Sequence, residues 1–251
     1  MKQATRESIW ANPLSQSSSS RGQGSRPAIE GGTPVREEFL PFGAPSIGQE
    51  EIDAVVDTLR SNWLSTGPKS VAFAKAFREY VGAPHSIATN SCTSALHLCL
   101  SACGVGPGDE VITTPMTFAA TSNVIVHQGA RPVFADIEPE GFLLDPDQVE
   151  RKITRKTRAI IPVHYAGMAC NMDRIAQLAQ AHRVRVIEDA AHAAGTQYKG
   201  RKIGSISDFT CFSFYVTKNL STAEGGMVTT SDAEAAVMIE KMSLHGLDLD
   251  A

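Results

Sequence analysis

Lys218 is the residue whose neighbours most clearly suggest covalent chemistry. It follows closely after an apolar strand-like run and lies among apolar and hydroxyl residues, with Gly225 and Gly226 shortly behind it. Burial disfavours the charged ammonium, so we expect a neutral amine, the form that attacks aldehydes. The glycine pair supplies the backbone freedom for a tight turn before the next strand. Considered alone, Lys218 is also compatible with a surface lysine.

A carboxylate and a histidine precede this lysine in the chain. An apolar run ends in Glu188 and Asp189, which places a carboxylate at the mouth of a strand, and the alanines after it let a ligand approach closely. Such a carboxylate can pair with a metal, a ribose or a protonated ring nitrogen. If a helix begins here, His192 lies on the same side of it as Asp189, three residues earlier. For His192 alone, a structural histidine with satisfied hydrogen bonds is the better interpretation.

Two earlier stretches could bind an anion and a flat ring. Residues 89–97 place small hydroxylated side chains before a helix, where backbone N–H groups and hydroxyls converge on an anion. The commoner interpretation of such a stretch is an ordinary helix N-cap. Phe118 follows another strand and could stack on a heteroaromatic ring, although in isolation it is more typical of the core. The sequence has no Walker or Rossmann glycine fingerprint, which excludes the commonest nucleotide sites.

Short apolar runs and helical segments alternate along the chain and must position these residues. The alternation predicts an α/β domain around a largely parallel sheet, in which ligands collect at the carboxyl ends of the strands. The predicted strands are 86–88, 110–113, 132–136, 159–163, 184–188, 210–214 and 227–230. The predicted helices after the first strand are 94–102, 119–127, 173–182 and 233–243.

Two helices are predicted before the first strand. Residues 46–49 have the spacing of a capping box, and Ile52 and Leu59 belong to an apolar stripe of helical period that follows it. Phe73 and Tyr80 belong to a second stripe. The globular pattern therefore begins near residue 37. We divide the chain into a flexible low-complexity tail, 1–36, rich in serine at residues 16–25, and a domain, 37–251.

Composition narrows the class of protein. The 23 basic and 27 acidic residues give a net charge of −4, which argues against nucleic acid as the main partner because phosphate binding requires a basic face. No apolar run is long enough to cross a membrane, and the N-terminus has no apolar leader. The five cysteines are odd in number and lack CxxC spacing, which indicates reduced thiols and a cytoplasmic protein. No metal site is predicted.

Taken together, the four stretches form a set of groups suited to holding pyridoxal 5'-phosphate (PLP). In their order and in their residues, these stretches resemble motifs of the DegT/DnrJ/StrS sugar aminotransferases. The resemblance extends from about Ile29 through Leu247. The shared stretches are WLSTGP at 63–68, PVHYAG at 162–167 and, most specifically, EDAAHA at 188–193 and SFYVTKNLSTAEGG at 213–226. The resemblance implies the large domain of the fold-type I, aspartate-aminotransferase-like PLP enzymes, a mostly parallel central sheet flanked by helices. It also implies that the smaller C-terminal domain is largely absent from this chain.

The resemblance further implies a role for each candidate residue. Lys218 would hold PLP as a Schiff base and later move a proton, Asp189 would keep the pyridine nitrogen protonated, and His192 would lie near the phenolic oxygen. The other implied cofactor contacts are stacking by Phe118 and phosphate binding by Thr93, Ser94 and Ser213. Cys92 stands where glycine is common in the family.

The activity implied is transfer of an amino group from glutamate or glutamine to a keto sugar, usually a nucleotide-linked deoxysugar. Family members are usually homodimers in which the partner subunit completes the active site. A PLP-dependent sugar dehydratase is an alternative, but such members carry histidine in place of the lysine, and Lys218 counts against it. A non-catalytic PLP- or sugar-binding protein is the third interpretation. His164 and Tyr165 are candidates to line the acceptor pocket, although structural roles fit them equally well.

Overall fold

The structure is a computed structural model that describes residues 26–41 and 43–247. The chain divides into two units, one up to residue 42 and one from residue 43. Among the described residues of the first unit, 26–41, a 3-10 turn at Ala28–Glu30 ends at Gly31, which is in the left-handed conformation. The serine-rich stretch 16–25 and the last four residues lie outside the described residues, and the predicted boundary at residue 36 stays a prediction.

The second unit alternates helices and strands, as predicted. In chain order the elements are α1 (Gln49–Arg60), α2 (Pro68–Val81), β1 (His85–Thr89), α3 (Cys92–Ala102), β2 (Glu110–Thr113), α4 (Ala119–His127), β3 (Arg131–Phe134), α5 (Pro146–Lys152), β4 (Thr157–Ile160), α6 (Met172–His182), β5 (Arg185–Asp189), β6 (Gln197–Tyr198), β7 (Arg201–Lys202), β8 (Phe209–Ser213), β9 (Gly226–Thr230) and α7 (Ala233–Ser243). A 3-10 turn, Tyr165–Gly167, lies between β4 and α6.

Seven strands form one sheet in the order β1-β9-β8-β5-β4-β2-β3. The neighbours from β8 to β3 pair in parallel, whereas β9 is antiparallel to both β8 and β1. The prediction of a largely parallel sheet is confirmed, since β9 alone among these seven strands runs against the others. The carboxyl ends of β1, β8, β5, β4 and β2 therefore lie at one edge, together with the start of β9.

Helices cover both faces of this sheet, and strands buried on both faces have continuous apolar character. Because side chains alternate along a strand, the neighbours Val111 and Ile112 of β2 point into different cores. Val111 packs in a core that contains residues of α3, α4 and α7, and Ile112 packs in one formed with α5 and α6. The sheet is thus the middle of three layers, which holds its carboxyl edge rigidly in place.

The structure differs from the predictions at several elements. Helix α5 and the short hairpin of β6 and β7 were not predicted, because both are too short to show a clear period. The predicted capping box at 46–49 is wrong: α1 begins at Gln49, its N-cap is Gly48, and the Gly48 N–H donates to Glu51 Oε2 at 2.6 Å. Within residues 26–41 and 43–247, no helix has the length and apolar character that a membrane crossing requires.

Candidate active site

The carboxyl edge of the sheet brings together the residues predicted from sequence. Asp189 ends β5, Ser213 ends β8, and the anion-binding stretch follows β1 and opens α3. Lys218 lies in the loop that joins β8 to β9. Residues far apart in the chain therefore meet at one edge because parallel strands all end there.

Two donors hold the carboxylate of Asp189, which is only 5% exposed. Thr121 Oγ1 donates to Oδ2 at 2.7 Å, and the Ala191 N–H donates to Oδ1 at 3.1 Å. Cys92 Sγ lies 3.9 Å from Oδ1 but 3.4 Å from the Cys211 carbonyl oxygen, so its single S–H hydrogen is better placed to donate to Cys211. Burial, and after it the charge of Asp189, raises the pKa of Cys92 well above its usual value, so the thiol keeps its proton. An ionised carboxylate has about four acceptor sites, so capacity remains for one ring N–H.

The N-terminus of α3 faces the same edge. Ser91 is its N-cap and accepts the Ser94 N–H at 3.1 Å, which confirms the N-cap interpretation of this stretch. In the described part of the chain, the amides of Cys92 and Thr93 donate to no protein acceptor. A phosphate could bind to these two amides at the positive end of the helix and to the exposed Thr93 hydroxyl. The N-cap at Ser91 does not prevent this, so the stretch can be both a helix cap and an anion site.

Gly226, the first residue of β9, lets the strand approach this helix end closely. A Cβ at Gly226 would lie 2.4 Å from the carbonyl carbon of Ser91 and 2.7 Å from the amide nitrogen of Cys92. Both contacts are with backbone, which cannot move aside as a flexible side chain could. A side chain here would displace the cradle.

Substitution Gly226→Ala should therefore lower the free energy of unfolding by about 3 kcal/mol, because overpacking against backbone forces α3 and β9 apart. Denaturant unfolding measures this change. Gly106→Ala is the matched control, since a Cβ there meets nothing within 4 Å and the residue has no positive φ. Equal stability losses in the two variants would contradict the close-approach argument.

Lys218 and His192 lie near enough to influence each other. Lys218 is half-buried, so the deep burial expected from the sequence is not found. Burial, and after it the positive charge of Lys218, lowers the pKa of His192, and the charge of Asp189 opposes this shift. The Ala166 N–H lies 3.3 Å from His192 Nδ1, which places the ring proton on Nε2. A neutral His192 can thus donate a hydrogen bond from Nε2.

Phe118 and Ser213 flank the same edge in different environments. Phe118 is the N-cap residue of α4 and is 81% exposed, so the interpretation of Phe118 as plain core is wrong, and its ring face is open to a ligand. Ser213 is 8% exposed and its Oγ accepts the Tyr215 N–H at 3.4 Å. The Ser213 hydroxyl hydrogen is left to donate elsewhere.

His164 does not line a pocket. Its ring is fully buried, with Nε2 2.7 Å from Glu188 Oε2, and the Cys170 N–H donates to Nδ1 at 3.2 Å. The second oxygen of Glu188 accepts from Thr210 Oγ1 at 2.9 Å. The suggestion that His164 contacts an acceptor is therefore wrong, because a buried carboxylate and a backbone amide satisfy both ring nitrogens. Tyr165, the next residue, is half-buried, and its ring centroid lies 6.3 Å from that of His192.

Thr121 is the site residue that sequence reasoning missed. It lies on α4 and is fully buried, whereas Thr117 precedes the helix and is half-buried. Their hydroxyl oxygens lie 2.7 Å apart. No local sequence pattern marks them, because Thr117 precedes the helix and the contact of Thr121 with Asp189 joins residues far apart in the chain.

Comparison with known proteins agrees with this geometry. A sequence profile of the DegT/DnrJ/EryC1/StrS aminotransferase family matches residues 45–251. The chain belongs to this family. The spore coat polysaccharide biosynthesis protein SpsC of Bacillus subtilis is 56% identical over 212 residues, which are 84% of this chain and 54% of that protein. The UDP-4-amino-4-deoxy-L-arabinose–oxoglutarate aminotransferase of Shewanella sediminis is 46% identical over 218 residues, which are 86% and 56% of the two chains.

A solved structure of the family has the same architecture. The sugar aminotransferase Spr1654 of Streptococcus pneumoniae, in its PLP form, superposes with a TM-score of 0.80 at 42% identity, covering 82% of this chain and 58% of that one. The expected fold, the large domain of the fold-type I transferases, is thereby confirmed. The chain spans little more than half the length of these relatives.

Proposed function

We propose that this chain is the cofactor-binding part of a PLP-dependent aminotransferase that moves an amino group from glutamate or glutamine to a keto sugar. The observation that carries the proposal is the Asp189 carboxylate. Two donors hold it at the edge that also bears Lys218, His192 and the N-terminus of α3. A buried carboxylate with remaining acceptor capacity, beside an amine and an anion cradle, matches the ring nitrogen, aldehyde and phosphate of PLP.

The residues present fit the cofactor. Asp189 would accept the ring N–H, and the Cys92 and Thr93 amides would bind the phosphate together with the hydroxyls of Thr93 and Ser213. The Ser94 hydroxyl, which donates to Asn90 Oδ1 at 2.5 Å, would join them by turning away from Asn90. Phe118 would cover one ring face, and His192 Nε2 would donate to the phenolic oxygen.

PLP, when bound, supplies an electron sink for the charge that develops at the donor's α-carbon. The chain's own contribution is proton transfer and charge placement. The Lys218 amine would take the proton from the donor's α-carbon and deliver it to the C4′ carbon of the cofactor, on the other side of the imine nitrogen. Asp189, as an anion, would keep the ring nitrogen protonated throughout.

Names of relatives support the acceptor class. One acts, by its name, in polysaccharide biosynthesis, another is a UDP-amino-sugar aminotransferase, and a third is a sugar aminotransferase. A nucleotide-linked keto-deoxysugar is the acceptor we propose. We also propose a homodimer whose partner completes the site, and a cytoplasmic location, which suits the five free thiols.

An absorbance spectrum of the purified chain with added PLP, recorded before and after glutamate, tests the proposal. We expect a visible band from the lysine-bound cofactor that glutamate bleaches as the amino group is transferred. A band that ignores both glutamate and glutamine would favour the non-catalytic binding protein. The absence of a band would refute PLP binding by this chain.

A further inference from the structure

Two threonine hydroxyls form a row that ends on Asp189. Thr121 Oγ1 lies 2.7 Å from Asp189 Oδ2, and Thr117 Oγ1 lies 2.7 Å from Thr121 Oγ1. Thr121 is fully buried, and Thr117, half-buried, is at the outer end of the row. The row connects α4 and the loop before it to the last residue of β5, across 68 positions of sequence.

The direction of these hydrogen bonds follows from what each group can do. An ionised carboxylate only accepts, so Thr121 must give its single hydroxyl hydrogen to Asp189. The Thr121 oxygen can then only accept, and Thr117 must be its donor. Both hydroxyls therefore point towards the carboxylate, and hydrogen bonds aligned in this way strengthen one another.

The backbone of Asp189 is fixed independently of this row. Its N–H donates to the Pro162 carbonyl at 2.9 Å, and its carbonyl accepts the His164 N–H at 3.0 Å. Thr121 therefore adds little to the position of the strand. What it controls is the rotation and the charge of the side chain, whose other oxygen accepts the Ala191 N–H.

We propose that Thr121, supported by Thr117, is a positioning residue that orients Asp189 and keeps the shared proton on the ring nitrogen of PLP. Hydrogen bonds donated to a carboxylate stabilise its anionic form. With one donor fewer, the carboxylate competes more strongly for the proton it shares with the ring. This inference rests on the proposed function and assigns to it a residue that does not touch the reacting atoms.

The test compares Thr121→Val, which keeps the shape but removes the hydroxyl, with Thr121→Ser, which restores it. The matched control is Thr210→Val, which also removes a buried threonine hydroxyl from a carboxylate, but from Glu188 rather than Asp189. For each protein we would measure the dissociation constant of PLP by absorbance titration. The ¹⁵N signal of ring-labelled PLP at neutral pH reports the proton on the ring nitrogen.

We expect Thr121→Val to weaken PLP binding about tenfold, as for loss of a hydrogen bond to a charged group. Its ¹⁵N signal should move towards that of the unprotonated ring, and Thr121→Ser should restore both values. Thr117→Val should give a smaller change in the same direction. Thr210→Val should lower the midpoint of denaturant unfolding but leave the ¹⁵N signal unchanged.

The outcomes separate this inference from the function on which it rests. If the unmodified chain binds no PLP, the proposed function fails and the inference falls with it. If the unmodified chain binds PLP but Thr121→Val has the same affinity and ¹⁵N signal, the inference alone is refuted. Equal shifts of the ¹⁵N signal in Thr121→Val and Thr210→Val would also refute it, since the effect would then come from general loosening of the edge.

Discussion

Replacing Lys218 by alanine is expected to remove the visible band of the lysine-bound cofactor and to lower glutamate-dependent transamination by about 10³-fold or more. The amine is the only group that can both bond to the cofactor's aldehyde carbon and carry the donor's α-proton in the site we propose. Activity is measured as amino transfer from glutamate, and the band by absorbance with saturating PLP. An active Lys218→Ala protein would refute the proposed role.

The control for this substitution is Lys152→Ala, which removes an exposed lysine from the last turn of α5. It should leave the band and the activity unchanged. A second readout separates loss of charge from loss of folding. Because the charge of Lys218 helps to lower the pKa of His192, Lys218→Ala should raise the midpoint of the His192 titration followed by NMR. An unchanged midpoint would mean that the two side chains do not interact.

Substitution His164→Ala is expected to lower the free energy of unfolding by about 3–5 kcal/mol. The imidazole and Glu188 form a fully buried pair at 2.7 Å, and removal of His164 leaves the carboxylate in the core with the Thr210 hydroxyl as its one remaining partner among residues 26–41 and 43–247. Denaturant unfolding by circular dichroism measures the change. His182→Ala, at an exposed histidine of α6, should change stability little.

A double variant distinguishes loss of the pair from loss of packing. Combining His164→Phe with Glu188→Leu removes both polar groups and fills the space with apolar atoms. Because no buried carboxylate is then left short of hydrogen-bond donors, this protein should be more stable than His164→Ala. A double variant less stable than His164→Ala would show that the hydrogen bonds themselves, rather than the stranded carboxylate, set the effect.

The large features of the fold could be predicted because the central strands β2, β8 and β9 are buried along their whole length, and β4 and β5 nearly so. Runs such as 184–188 and 210–214 are apolar for that reason, and their ends mark the edge where Asp189 and Ser213 lie. Helix α5 and the β6–β7 hairpin have only seven and two residues per element, which is too few to show a period. Their presence depends on contacts made by the completed domain.

The site was predicted less completely than the fold. Asp189 was predictable because a strand-end carboxylate followed by alanines is unusual in itself. Thr121 was not, since its importance comes from a contact with Asp189 that no local pattern encodes. The sequence left His164 between an acceptor pocket and a structural role, because a polar residue at a strand end looks the same whether it faces solvent or a buried carboxylate. Whether such a side chain faces solvent or the core depends on the residues that it contacts in the folded domain.

The antiparallel strand β9 also has a consequence for the order in which the chain folds during synthesis. β1, whose end leads into the anion cradle, lies at the edge of the sheet and pairs with β9. At about 5–20 residues per second, the ribosome delivers β9 on the order of ten seconds after β1, since roughly 140 residues separate them. Through that interval the backbone groups of β1 lack the partner they have in the finished sheet, and an unpaired strand is a template for wrong pairing. We therefore expect this chain to depend most on chaperones in the interval after β1 has been synthesised and before β9 has.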